Sequence, residues 1–207
     1  MLLAVTLTTG RLLAIAIATL VALLWLRRRI YRIDPQQLMT QRLTRDGEDL
    51  YKRWVQNAFL VVTGNCDFAH LQRAEAVRML SAWWEVHGPA EHARMLAALE
   101  DAGRPDNAWD LLRFVLLARI GVAAGYLDDL GAWARIRPVA GRLQRAYPDW
   151  SAMAQAYLLA RRQARGLAAD GTEDDASTQA IRDNVAYLHG TRWREMPYRL
   201  RLEDRDA

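Results

Sequence analysis

The residues best suited to chemistry in this chain fall between positions 109 and 161. Trp109, Asp110, Arg113, Arg119, Gly125 and Tyr126 form the densest group of aromatic and ionisable positions. Asp110 and Arg113 are three apart, so on a helix they are surface neighbours. Arg119 lies nine residues beyond Asp110. At about 100° per residue that is the opposite side of the helix. These charges interrupt a stretch, residues 107–126, that is otherwise apolar nearly all round. A buried charge is costly unless paired, so each should meet a partner on another helix. Two readings stay open. The charges form a structural network that fixes helix register, or they line a polar site for an anionic ligand or peptide. The candidate set for either is Trp109, Asp110, Arg113, Arg119, Tyr126, Trp150, Tyr157 and Arg161.

Other chemistries find less support. His87 and His92 flank a Gly-Pro turn, His70 lies near a helix start and His189 near a helix end. None belongs to a His-Glu-x-x-His or carboxylate-rich i,i+3 pattern, so they read as surface or capping residues and no metal is expected. Asp128-Asp129 reads as a helix cap, not a catalytic pair. Glu173, Asp174 and Asp175 read as solvated charge. Ser81, Ser151 and Ser177 have no local activating pattern, and Cys66 sits in a Gly-Asn-Cys-Asp turn without a placed histidine. With no phosphate loop and no G-x-G-x-x-G, no cofactor is expected.

The elements that must position these residues are helical. Residues 35–45 suit a short helix after Asp34-Pro35. Residues 48–63 carry a helical stripe ending at Gly64-Asn65, and residues 69–87 a second. Gly88-Pro89 ends that helix and starts another, to about residue 102. Residues 107–126 have no polar face, which places them at the centre of a bundle. Asp128 or Asp129 caps the next helix, which Pro138 should kink or break. Pro148-Asp149 opens one that runs to Arg165. Residues 166–176 read as an acidic flexible link, 177–188 as a last helix, and the terminus as extended. Six of the eight tryptophans lie in these helices and read as core or capping contacts, not stacking platforms. No run alternates as strands do, and no repeat of solenoid length occurs. The expectation is one all-α domain of six to eight helices over residues 34–207.

The chain has 207 residues, 52% hydrophobic and 25% charged, which excludes wholesale disorder. One cysteine excludes an intrachain disulfide framework. The formal charge of +4 is not spread evenly. Residues 1–32 hold five of the 28 basic residues and no acid, leaving 23 against 24 acidic residues in the rest. The domain is thus close to neutral, and a nucleic-acid partner is not expected. Leu12–Leu26 is uncharged, with Thr19 its one polar residue. At 1.5 Å per residue this covers about 22 Å, and extension back to Leu2 past a snorkelling Arg11 makes it long enough for a bilayer. Arg27, Arg28, Arg29 and Arg32 follow the run, the reverse of a signal peptide's order, and no small-residue cleavage site does. Residues 1–33 therefore read as a transmembrane anchor with an arginine flank, meeting the lipid bilayer through residues 2–26. The positive-inside rule places the N-terminus outside and the domain in the cytoplasm.

The stretch AWDLLRFVLLARIGVAAGYLDDLGAW, followed by AYPDWSAMAQAYLLARRQ, resembles a bacterial family catalogued as domain of unknown function twelve-sixty-six. Trp109, Asp110, Arg113, Arg119, Gly125, Tyr126, Trp133, Trp150, Tyr157 and Arg161 match its pattern in order, over a core of about 70–200. Thr191, Arg192, Tyr198 and Ala160 depart from it. The resemblance implies a bacterial helical domain with no agreed activity, in an inner-membrane protein if the anchor is as read.

Two functions are compatible with these features. One is a membrane-tethered cytoplasmic interaction module for a protein partner, such as an accessory of an envelope or secretion system or an inhibitor of a toxin. The other is an enzyme or anionic small-ligand binder built around Asp110, Arg113 and Arg119.

Overall fold

The computed structural model describes residues 49–64, 68, 71–100 and 107–200. The expected anchor and the helix at 35–45 lie outside them. Among the described residues no helix is long and apolar enough to cross a membrane. They form eight helices and no strand: α1 Leu50–Thr63, α2 Arg73–Trp84, α3 Pro89–Glu100, α4 Ala108–Ala124, α5 Asp129–Ala146, α6 Trp150–Arg165, α7 Ala176–Gly190 and α8 Arg192–Glu195.

Short polar side chains set most of the starts. Asp49, Asn107, Asp128, Asp149 and Asp175 each accept a backbone N–H from the first turn of α1, α4, α5, α6 and α7. Asp128 is the cap of α5, through Gly131 N at 2.7 Å, which leaves Asp129 for another partner. Helix α2 ends earlier than its apolar pattern suggests. Glu85 turns left-handed at φ 54°, and the Val86 N–H bonds back to the Leu80 carbonyl at 3.1 Å. Val86 is then buried against the core, the hydrophobic contact that locks such a stop.

Pro138 does not break its helix; α5 runs through it. A proline removes the N–H that would bond the carbonyl four residues back. Pro138 and Ala134 are both exposed, so water can serve that carbonyl. The opposite face, with Trp133, Ile136, Val139, Ala140 and Leu143, is buried.

Helix α4 is the axis of the domain. Twelve of its residues are buried, and it packs against α1, α2, α3, α5 and α6. One tight contact is with α3. A Cβ added at Gly121 would lie 2.2 Å from His92 Nε2. The His92 ring fills that space and donates from Nε2 to the Leu117 carbonyl at 2.9 Å.

The terminus is not extended. Trp193, Met196 and Tyr198 are buried. Trp150 stacks on Trp193 at 5.3 Å and on Trp54 at 5.1 Å, and Tyr198 meets Trp150 edge-on at 4.8 Å. The indole N–H groups of Trp54 and Trp150 donate to the carbonyls of Tyr198 and Met196 at 2.9 and 2.8 Å. The charged neighbours of these apolar residues disguise them in the sequence.

Gly121→Ala is expected to destabilise the chain by about 3 kcal/mol, at the upper end of overpacking costs. Adding His92→Ala should cost less than the sum of the two single changes, because the clash is then gone. Chemical denaturation of the full chain and its three variants measures this. Acid should act through the same residue. Burial holds the His92 pKa below its ordinary 6.5. Above that value both states are neutral and the shift contributes nothing. Below it the unfolded chain binds the proton first, so stability falls as pH drops. A melting temperature as flat below pH 6 as above it, after correction with His92→Gln, contradicts this.

Candidate functional site

The charges on α4 face two different neighbourhoods. On one side are Trp109, Asp110 and Arg113. Asp110 lies in the first turn of α4 and accepts the Asn107 side-chain N–H at 3.2 Å. Its other oxygen is 3.8 Å from the Arg113 guanidinium, an ion pair without a hydrogen bond. Arg113 instead stacks on indoles, 4.4 Å from the Trp84 ring of α2 and 5.0 Å from Trp109. Helix α6 closes this side. Tyr157 packs on Trp109 at 5.1 Å, and the Arg161 guanidinium lies 5.7 Å over the same indole. Burial pushes the Tyr157 phenol pKa up, so its hydroxyl stays protonated, while Arg161 and Arg113 oppose the shift. Burial also lowers the Arg113 pKa, against the pull of Asp110.

On the other side is Arg119. Its NH1 meets Asp129 Oδ1 at 2.8 Å, and its guanidinium covers the Trp133 ring at 4.5 Å. Lys52 and Tyr51 of α1 reach the same indole at 5.3 and 6.2 Å. The partner of Arg119 is thus on α5, as a buried charge requires. Asp110 and Arg113 instead pair within their own helix.

The candidate residues therefore do not form one site. Trp109, Asp110, Arg113, Tyr157 and Arg161 come together, and Arg119 lies elsewhere. Tyr126 sits edge-on to His92 at 6.0 Å. Trp150 belongs to the tryptophan stack with Trp54 and Trp193. Gly125 is the left-handed stop of α4, at φ 74°.

The acidic link is also not simply solvated. The Asp174 side chain is only 4% exposed and accepts both Arg162 Nε and NH2, at 2.7 and 2.9 Å, together with Arg182. These hydrogen bonds hold its carboxyl below the usual carboxylate range. Asp175 caps α7 and pairs with Arg161 at 3.5 Å. Glu173 is exposed, as a solvated acid should be.

Sequence spacing missed three features. Trp84 becomes the second wall on Arg113 although 29 positions separate them, a distance with no sequence signal. Two serine–histidine contacts form, Ser81 Oγ to His87 Nδ1 and Ser151 Oγ to His189 Nε2, both at 3.1 Å. No described carboxylate hydrogen-bonds either imidazole, so the relay that activates a serine is missing there. The third is an open concavity of about 380 Å³ between α2 and α3, walled by Trp84, Glu85, Val86, Glu91, Arg94 and Met95. No cluster of three metal-ligating side chains occurs among the described residues.

A family model described as Protein of unknown function (DUF1266) matches residues 36–198. The chain belongs to this family. No curated protein and no solved structure matches the chain. The DUF1266 match begins upstream of residue 70, so α1 and its Trp54 lie within the family's span, as do the tryptophan stack and both faces of α4.

Asp174 gives this DUF1266 domain a testable acid response. Its folded pKa is depressed, so the stability it contributes is present above the unfolded value of about 3.8 and is lost as pH falls through the folded value. Asp174→Asn should lower the melting temperature at neutral pH and flatten its decline below pH 4. Thermal unfolding of the two chains across that range decides it.

Proposed function

We propose that the chain is a membrane-tethered module that binds a protein partner at the cytoplasmic face, docking where α2 turns into α3. The observation that carries this is Trp83, 63% exposed at the end of α2, one residue before the Trp84 that walls a concavity with Val86 and Met95. A solvated indole near a partly apolar concavity matches what interfaces bury at their centre. The walls present two carboxylates, Glu85 and Glu91, against one guanidinium, Arg94. The matching partner segment is apolar with a basic flank. Buried Val86 and the left-handed Glu85 hold the turn in place, so the face is formed before the partner arrives.

Residues 2–26 supply the span in this proposal, and the arginines after them the cytoplasmic flank. A tethered binder suits an accessory of an envelope or secretion system, or an inhibitor of a toxin. A reporter fused after Ala207 is expected to behave as cytoplasmic; periplasmic behaviour would reverse the topology.

The docking face is tested with a photo-crosslinking amino acid at position 83 of the full chain in its native membrane. A discrete adduct is expected there and not from position 187, where Tyr187 is exposed on α7. Met95→Glu should abolish it. With the partner identified, Trp83→Ala should weaken binding by about 2 kcal/mol, as a central indole does. Equal adducts from both positions, or none, defeat the proposal. An adduct of twice the chain's mass reassigns the face to self-association.

A further inference from the structure

We propose that Arg113 anchors a binding site for a small organic carboxylate, walled by Trp84 and Trp109 and closed by Tyr157 and Arg161. The site shares Trp84 with the docking face but needs no protein partner.

The argument starts from what Arg113 leaves unused. The most buried arginines spend their N–H groups inside the protein. Arg119 donates to Asp129, Arg161 to Thr178 and Arg162 twice to Asp174. Arg113 makes no hydrogen bond to any described residue, its nearest carboxylate being Asp110 at 3.8 Å. Yet its side chain is only 31% exposed, with an indole at 4.4 Å and another at 5.0 Å. Two ring contacts hold a guanidinium in place by cation–π attraction. Its orientation is then set before any ligand arrives, which reduces the entropy lost on binding. A planar fork with free donors is the natural complement of a carboxylate's two oxygens.

Charge selects among oxyanions. Arg161 shares the Trp109 ring with Arg113. Against these two guanidinium groups stand Asp110 and Asp175. The site is thus balanced before a ligand arrives, which admits a monoanion more readily than a phosphate dianion. Tyr157 packs on the Trp109 ring at 5.1 Å and backs that wall of the site. The two indoles favour a ligand with an aromatic or apolar body. Arg119, on the far side of α4, has no part in the site.

The test titrates the full chain, in detergent micelles at constant ionic strength, with sodium benzoate, sodium acetate and inorganic phosphate. Arginine Nε–H and tryptophan Nε1–H resonances are followed by NMR. The expected result is a saturable shift at Arg113, Trp84 and Trp109, with benzoate tighter than acetate and phosphate weakest. Arg113→Lys keeps the charge but loses the fork, and should weaken benzoate about tenfold or more. Arg135→Lys, at an exposed pair with Glu100, should bind like the parent. The proposal is overturned by the absence of any saturable shift or by phosphate binding tighter than benzoate. Unchanged benzoate affinity in a folded Arg113→Lys overturns it too; the first two outcomes are read on the parent chain and stand even if that variant fails to fold.

Discussion

The domain depends on the need to surround α4. A helix that is apolar on every side cannot face water, so neighbours must cover it all round. Helices α1, α2, α3, α5 and α6 do so. This cover makes its two inner arginines expensive. Arg119 is settled by a carboxylate from the next helix at 2.8 Å, and Arg113 by indoles. The same need explains Gly121, since α3 can come close only where α4 has no side chain. Packing density at this axis leaves no room for even a methyl group.

Much of this was legible in the sequence. The cap at Asp128, the opening at Asp149 and the glycine stop at Gly64 are local signals with local causes, so most helix boundaries fall close to where those residues stand. The all-round apolar pattern of 107–126 correctly placed that helix at the centre. What failed was non-local. Pro138 reads as a kink or a break, and the break does not occur because the carbonyl it orphans lies on an exposed face, which local rules cannot know. Asp174 reads as solvated because its arginines come from helices on either side of the link. The terminus reads as extended because its buried residues are spaced for a tail, not for a helix.

The candidate site was half legible. Asp110, Arg113, Tyr157 and Arg161 do meet, because helical spacing puts the first two on one face of α4 and the last two on one face of α6. Arg119 was correctly placed on the opposite side, which is why it cannot share a site with them. Trp84 was invisible, since nothing in a sequence says that an indole at the end of one helix will lie on an arginine of another. The family match adds a span but no chemistry.

The contact between Trp54 and Tyr198 joins residues 144 positions apart. Its indole partner Trp150 and the neighbouring Trp193 are likewise supplied late in the chain. A ribosome emits α1 long before the residues that seal it. During synthesis the first described helix must therefore wait with its largest ring uncovered. Loop-closure entropy makes this long-range contact late to form, and an exposed indole in the meantime is a site for chaperones or for misassociation. The order of elements along the chain thus imposes a period of vulnerability that ends only when the last described residues fold back onto the first.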